Sequence, residues 1–263
     1  MTMDLVLDEV ANAATRFAAL SQLFDAATER CLLDRGLRAG WRCLEVGVGN
    51  GSIARWLSDR VGSGGRVLAT DIDSRFLEGL ARDNLATRKH DITRDLLPER
   101  SFDLVHVRMV LIHLPERDDV LRRLASAVAP GGWLVCEEFD ALSLAADPAQ
   151  CPGEIALKTH AAMARLGEDR GLDRRFGRLL FGRLRALGLA DVGAEGCLSM
   201  ATPGSAMTRL LDASYRLRRA DMIARGYVTG EDFDRDLALL ADQAFMMPSP
   251  IMWTAWGRRP VAS

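Results

Sequence analysis

The sequence predicts a doubly wound α/β fold, a largely parallel sheet with helices on both faces. Three observations predict it. Short apolar runs alternate with helical segments along most of the chain, a glycine-rich turn follows the first run, and the second run ends in an acid 20 residues after the last glycine of that turn.

Taken in order, Val10, Ala13, Ala14, Phe17, Leu20 and Phe24 fall at helical spacing and predict an amphipathic helix ahead of the sheet. Periodicity suits cover for a sheet edge and a lid over a substrate equally. Trp41 to Val46, apolar and bounded by glycine, predicts a buried strand, with a helix over Ser52 to Val61. After Gly62-Ser63-Gly64-Gly65 come a strand at Arg66 to Thr70 and a helix at Ser74 to Leu80. Further strands are expected at Thr87 to Asp91 and Phe102 to Arg108, a helix at Asp118 to Val128, and a strand at Trp133 to Glu138 after the turn Pro130-Gly131-Gly132.

From Asp140 to Asp173 the alternation is interrupted by Asp147-Pro148 and Cys151-Pro152-Gly153, ahead of a helix at Glu154 to Leu166, which reads as an insertion. Phe176, Leu179, Leu180, Leu184 and Leu187 mark the next helix, with Gly188 as its C-cap and a strand over Asp191 to Met200. Ala201 to Phe245 carries two helical patterns around Gly226 and Gly230, and Ile251 to Trp256 is the last strand. The expected organisation is a single domain over 1–263, with an N-terminal helical cap at 1–37, a cofactor-binding core at 41–138 and cap insertions at 139–173 and 201–245.

Composition narrows the function. Apolar residues at 48% and charged residues at 27% are the proportions of an ordinary globular protein. A net charge of −2 with no block of like charge leaves no field to attract a phosphate backbone, which argues against nucleic acid as a partner. No apolar run approaches the roughly 18 residues of a membrane span. The start Met1-Thr2-Met3-Asp4 lacks the basic region of a signal peptide, so the expected location is the cytoplasm. Cys31, Cys43, Cys136, Cys151 and Cys197 are odd in number and widely spaced, which indicates neither a disulfide framework nor a zinc cluster, and no metal is expected.

The chemistry is concentrated in Leu44-Glu45-Val46-Gly47-Val48-Gly49-Asn50-Gly51, where three glycines alternate as a buried strand enters a helix. Glycine lets the backbone approach a ligand closely, and the helix start offers N–H groups and a positive dipole end. A cofactor with a carboxylate or phosphate fits there. The dinucleotide fingerprint G-x-G-x-x-G needs its third glycine one residue later, which argues against an NAD-dependent dehydrogenase. Val67-Leu68-Ala69-Thr70-Asp71 adds an acid at a strand's carboxyl end, where it can accept ribose hydroxyls.

At these residues the chain resembles the class I S-adenosylmethionine (SAM)-dependent methyltransferases, in the small-molecule branch of ubiquinone/menaquinone-type and natural-product enzymes. The resemblance is strongest over Trp41 to Asp140. It implies that Glu45, Gly47, Gly49 and Gly51 form the first SAM-binding motif, that Asp71 binds the ribose, and that Ile72 packs on adenine. It further implies that Asp91 and Ile92 contact the adenine amino group and ring face, and that the backbone of Val107 and Arg108 passes the methionine moiety. The implied sheet is Rossmann-like, with seven strands in the order 3-2-1-4-5-7-6 and the last antiparallel, and the acceptor is a small molecule, possible secondary metabolites included.

A sulfonium donor is already activated, so the enzyme's task is alignment and exclusion of water, which the cap segments would serve. An acceptor hydroxyl also benefits from a general base, and His113 and Glu138, each following a central strand, are the catalytic candidates; helix-start hydrogen bonding is the alternative role for His113. His106 and His90 read as structural, whereas His160, in an insertion helix, is a candidate for acceptor contact. The competing reading is a methyltransferase fold that binds SAM for a non-methylating reaction or for ligand sensing. Oligomeric state has no signature in the sequence.

Overall fold

Strands buried on both faces read as apolar runs, and the central strands of this protein do so apart from the buried Glu45, His106, Glu137 and Glu138. The computed structural model describes residues 3–143 and 156–261, the side chains of 3–10 and 156–157 excepted. Its main sheet comprises β1 (Arg42–Val46), β2 (Arg66–Asp71), β3 (Leu85–Lys89), β4 (Phe102–Arg108), β5 (Val128–Asp140), β6 (Ala190–Cys197) and β7 (Ile251–Arg258). Their spatial order is 3-2-1-4-5-7-6, and β7 runs antiparallel to β6, the topology that the resemblance implies.

Pairing is parallel from β3 through β2, β1 and β4 to β5. Chain order reverses where β1 lies between β2 and β4, so the connections leaving β1 and β4 turn to opposite faces and open a crevice at their carboxyl ends. Helix α2 (Ser52–Val61) buries Ile53, Ala54, Leu57 and Val61, at helical spacing, in the core formed with Cys43, Val67 and Ala69. Helix α3 (Arg117–Ala127) buries Val120, Leu121 and Leu124 in the same way.

Several boundaries differ from expectation for local reasons. The segment after β2 is a single 3-10 turn, Ser74–Leu77, begun by the Asp73 side chain accepting from Arg75 N; Gly79 at φ 65° then turns the chain into β3. β3 lies two residues earlier than expected because pairing with β2 runs from Val67↔Leu85 to Asp71↔Lys89, which leaves Asp91 beyond the strand. Pro130-Gly131-Gly132 does not precede β5 but bulges within it, between the pairs Phe102↔Val128 and Leu104↔Trp133. Instead of one strand to Met200, β6 stops at Cys197, and Met200–Ala201 pairs with Met247–Pro248 in a separate ladder. The region expected to hold two helical patterns holds three helices: α6 (Ala206–Arg216), α7 (Arg219–Ala224) and α8 (Gly230–Leu240).

Two compact units divide the chain: Asp25–Asp140, Arg175–Cys197 and Met252–Ser263 make one, which contains the crevice, and Met1–Phe24, Ala141–Arg174 and Leu198–Ile251 make the other. Helix α1 (Met3–Asp34) contributes to both, and α5 (Phe176–Ala186) belongs to the first. In the second unit α4 (Ala156–Asp169) and α8 are tied by Asp236, whose Oδ2 accepts from Thr159 N at 2.7 Å. The expected start of α4 at Glu154, and Cys151 before it, lie outside the described residues.

Candidate functional site: a glycine-lined crevice

β1 ends at Val46, and Gly47, Gly49 and Gly51 follow at φ 74°, 53° and 75°. A Cβ on Gly47 would stand 2.3 Å from Val110 Cγ2, and one on Gly51 would stand 2.7 Å from Leu80 Cδ1. The left-handed backbone favours glycine at these two positions, the space beside them is taken by the Val110 and Leu80 side chains, and α2 begins directly after the turn.

Asp71 sits beside this turn at the end of β2. Its Oδ2 accepts from Gly49 N at 3.5 Å and its Oδ1 from Asp73 N at 3.0 Å, while burial raises its pKa. The next residue, Ile72, is 63% exposed, a large apolar side chain that the described residues leave largely uncovered. Asp91 turns its carboxylate onto Thr93, accepting from Oγ1 at 2.6 Å and N at 3.0 Å; the Thr93 hydroxyl is the main reason that its pKa is lowered. Ile92 is buried. Asp71, Ile72 and the glycine turn thus come together, and the Asp91 carboxylate is engaged by its own turn.

At the exit of β4, Val107 is buried and the Arg108 side chain reaches α1, donating to Asp25 Oδ1 at 2.7 Å and Thr28 Oγ1 at 3.0 Å. Met109 follows at φ 58°, a left-handed conformation that a non-glycine residue adopts at some cost. That bend carries the backbone to Val110, whose side chain abuts Gly47.

Glu138 is fully buried near the end of β5, and its Oε1 accepts from Val110 N at 3.0 Å and Leu111 N at 2.6 Å. Its Oε2 is buried without a partner among the described residues, and desolvation pushes the pKa up to about 8. The bonded amides lead into the 3-10 turn Leu111–His113, which leaves His113 exposed. Glu138 therefore stands under the turn that presents His113. His160 lies in the other unit, 3.4 Å from Tyr215 Oη through Nδ1, with its pKa lowered by burial to about 4. His90 is buried with both ring nitrogens lacking partners among the described residues.

One group had no part in the sequence-based site. His106, read as structural, lies between two buried acids, Glu45 and Glu137, at 2.6 Å and 3.3 Å. Three ionisable residues interrupting apolar strands were its available signal, since such groups stay buried only when paired.

The profile of a family described as a methyltransferase domain matches residues 13–183, well over half of the chain. The chain belongs to that family. With the methyltransferase family goes its cofactor, S-adenosylmethionine. Methyltransferase str3 of Strobilurus tenacellus is 38% identical over 89 residues, covering 34% of this chain and 31% of that protein. The ubiquinone/menaquinone biosynthesis C-methyltransferase UbiE of Laribacter hongkongensis is 33% identical over 111 residues, covering 40% and 45%. These matches span less than half the length of either relative. Among solved structures, phosphoethanolamine N-methyltransferase 2 of Haemonchus contortus, in complex with S-adenosyl-L-methionine, superposes with a TM-score of 0.54 at 15% identity, covering 94% of this chain and 52% of that one. A likeness at that identity carries the fold alone.

The residues present fit the cofactor. The left-handed turn at Gly47 and Gly49 presents half-buried backbone without side chains, Asp71 offers a carboxylate beside it, and Ile72 offers a largely exposed apolar face of the kind an adenine ring covers.

Proposed function

We propose that this methyltransferase transfers the methyl group of SAM to a compact small-molecule acceptor, a secondary metabolite or a related compound. The observation that carries the reading is the Gly47–Gly51 turn at the reversal of strand order, with the Asp71 carboxylate against the Gly49 amide. SAM supplies an electrophilic methyl group on a sulfonium. The protein's residues do the rest: Glu45 and the glycine turn receive the amino-acid end, Asp71 the ribose hydroxyls, Ile72 with Asp91 and Ile92 the adenine, and the backbone of Val107 and Arg108 lines the path between them. His113 takes a proton from an acceptor hydroxyl, and Glu138 holds the turn that carries it.

A net charge of −2 suits a small metabolite better than a nucleic acid, and a cytoplasmic enzyme follows from the same reading. Among the described residues no helix is long and apolar enough to cross a membrane.

Calorimetry with SAM, S-adenosylhomocysteine and NAD tests the cofactor, and a panel of phenols, quinols, amines and acidic carbon acids with SAM tests transfer. Binding of the first two ligands and release of S-adenosylhomocysteine with one acceptor class are expected. Asp71→Ala should weaken SAM roughly tenfold to a hundredfold, the value of a charge-assisted bond to a ribose hydroxyl. Unchanged affinity in Asp71→Ala and in Gly49→Leu would move the site elsewhere, and tight SAM binding without turnover on any acceptor would replace transfer by cofactor binding alone.

A further inference from the structure

Four polar side chains cross the middle of the sheet on one face, one from each of four neighbouring strands: Glu45 of β1, His106 of β4, Glu137 of β5 and Thr254 of β7. His106 Nδ1 lies 2.6 Å from Glu45 Oε2, and its Nε2 lies 3.3 Å from Glu137 Oε2. Thr254 Oγ1 donates to Glu137 Oε1 at 2.7 Å, and Thr28 Oγ1 of α1 donates to Glu137 Oε2 at 2.6 Å. Arg108 Nη1 stands 4.0 Å from the same oxygen. All four residues of the row are at most 3% exposed, so water does little to screen them.

A neutral imidazole has one N–H and one lone pair, so between two carboxylates it satisfies one and repels the other. Only the doubly protonated ring serves both. Burial works against that charge, but the Glu45 charge and the Glu137 hydrogen bond outweigh it and lift the His106 pKa to about 9. The two acids are unequally served. Glu137 has donors on both oxygens, whereas Glu45 has His106 on Oε2 and, among the described residues, none on Oε1. Glu45 sits two residues before Gly47, at the mouth of the glycine turn.

We propose that His106 is a positioning residue for the amino-acid end of the cofactor, holding the Glu45 carboxylate oriented so that its free oxygen receives the ammonium of the methionine moiety. The inference rests on the SAM site proposed above. It gives the cross-sheet row a function beyond stability: His106 acts on the cofactor through Glu45 alone, and only on the part of the cofactor that carries the ammonium.

Two ligands separate that role from a merely structural one. S-adenosylhomocysteine carries the amino-acid end, and 5′-methylthioadenosine lacks it while keeping ribose and adenine. Calorimetry on His106→Gln should give a loss of roughly tenfold to a hundredfold for S-adenosylhomocysteine, the range of a hydrogen bond to a charged group. Affinity for methylthioadenosine should change less than about twofold, within the spread of neutral surface effects. Glu45→Gln should show the same selectivity, and the double variant should bind no worse than Glu45→Gln alone. Equal losses for both ligands, no loss, or fully additive losses would overturn the proposal. If His106→Gln does not fold, Glu137→Gln, which leaves His106 a single carboxylate, carries the test: a smaller loss confined to S-adenosylhomocysteine supports the role, and an equal loss or none overturns it. A wild-type protein that binds neither ligand would overturn the SAM reading itself, whereas wild-type binding without the selective loss overturns only the assignment of His106.

Discussion

The Glu138 carboxyl has two backbone donors on one oxygen and, among the described residues, none on the other, inside the core. A protonated acid suits that asymmetry, and burial favours the same form by raising the pKa to about 8. Glutamine reproduces it with a carbonyl for the amides and no charge. Below pH 4.5, where the acid is protonated in both folded and unfolded chains, Glu138→Gln is therefore expected to unfold within about 0.5 kcal/mol of wild type in urea, whereas Glu138→Ala, which strands two amides, should lose about 2 kcal/mol or more. A Glu138→Gln loss as large as that of alanine would show that the ionised form is the one required. His113 carries the companion prediction at its own position. For a hydroxyl acceptor, His113→Ala should lower kcat by about 10²- to 10⁴-fold with SAM affinity nearly unchanged. For an amine or an acidic carbon, alignment alone suffices and the loss should be small. A rate and pH profile identical to wild type on a hydroxyl acceptor would leave proximity as the mechanism and remove the base.

Among the elements, β1, β4, β5 and β7 are joined by more than their backbone ladder, because the row from Glu45 to Thr254 ties them through side chains. Its two ends of the pH scale have opposite signs. Burial opposes the Glu137 charge, but the bond and charge of His106 prevail and hold its pKa at about 2, below the ordinary 4.5; that stability is present above pH 4.5 and is lost as pH falls toward 2. His106 is raised from 6.5 to about 9, so its stability is complete below pH 6.5 and is lost as pH rises through 9. Glu138, raised from 4.5 to about 8, adds a loss of the same sign that begins above pH 4.5 and is complete above 8. Urea unfolding from pH 3 to 10 should therefore fall off at both ends, with the alkaline decline reduced in Glu138→Gln and reduced separately in His106→Gln. An alkaline limb unmoved in both variants would assign it to other groups.

For the whole molecule, a ligand that binds only the folded state stabilises it by about 2.7 kcal/mol at 100 times its Kd. In a chain of this size each kcal/mol raises Tm by roughly 2–4 °C, so SAM is expected to raise Tm by roughly 5–10 °C and NAD not at all. Because the chain divides into two compact units, calorimetric melting can resolve into two transitions. SAM should then shift the transition of the unit that contains the glycine turn. A shift confined to the other transition would place the cofactor site outside the crevice.

By itself the sequence determined the fold class, the helix at Ser52–Val61, the strand at Phe102–Arg108 and the glycine turn at the end of β1, because each depends on periodicity or on backbone freedom within a few neighbouring residues. The strand order followed from resemblance to a family, since pairing between distant strands leaves little trace in local pattern. Only the tertiary structure decided that Pro130-Gly131-Gly132 bulges within β5, that the helix expected after β2 is one turn, and that Asp91 stands beyond β3, all consequences of register against a neighbouring strand. It alone brought His106 between Glu45 and Glu137, acids 61 and 31 residues away, and turned Glu138 under the His113 turn. A buried charge is stable only beside its partner, and partners supplied by separate strands have no fixed spacing along the chain.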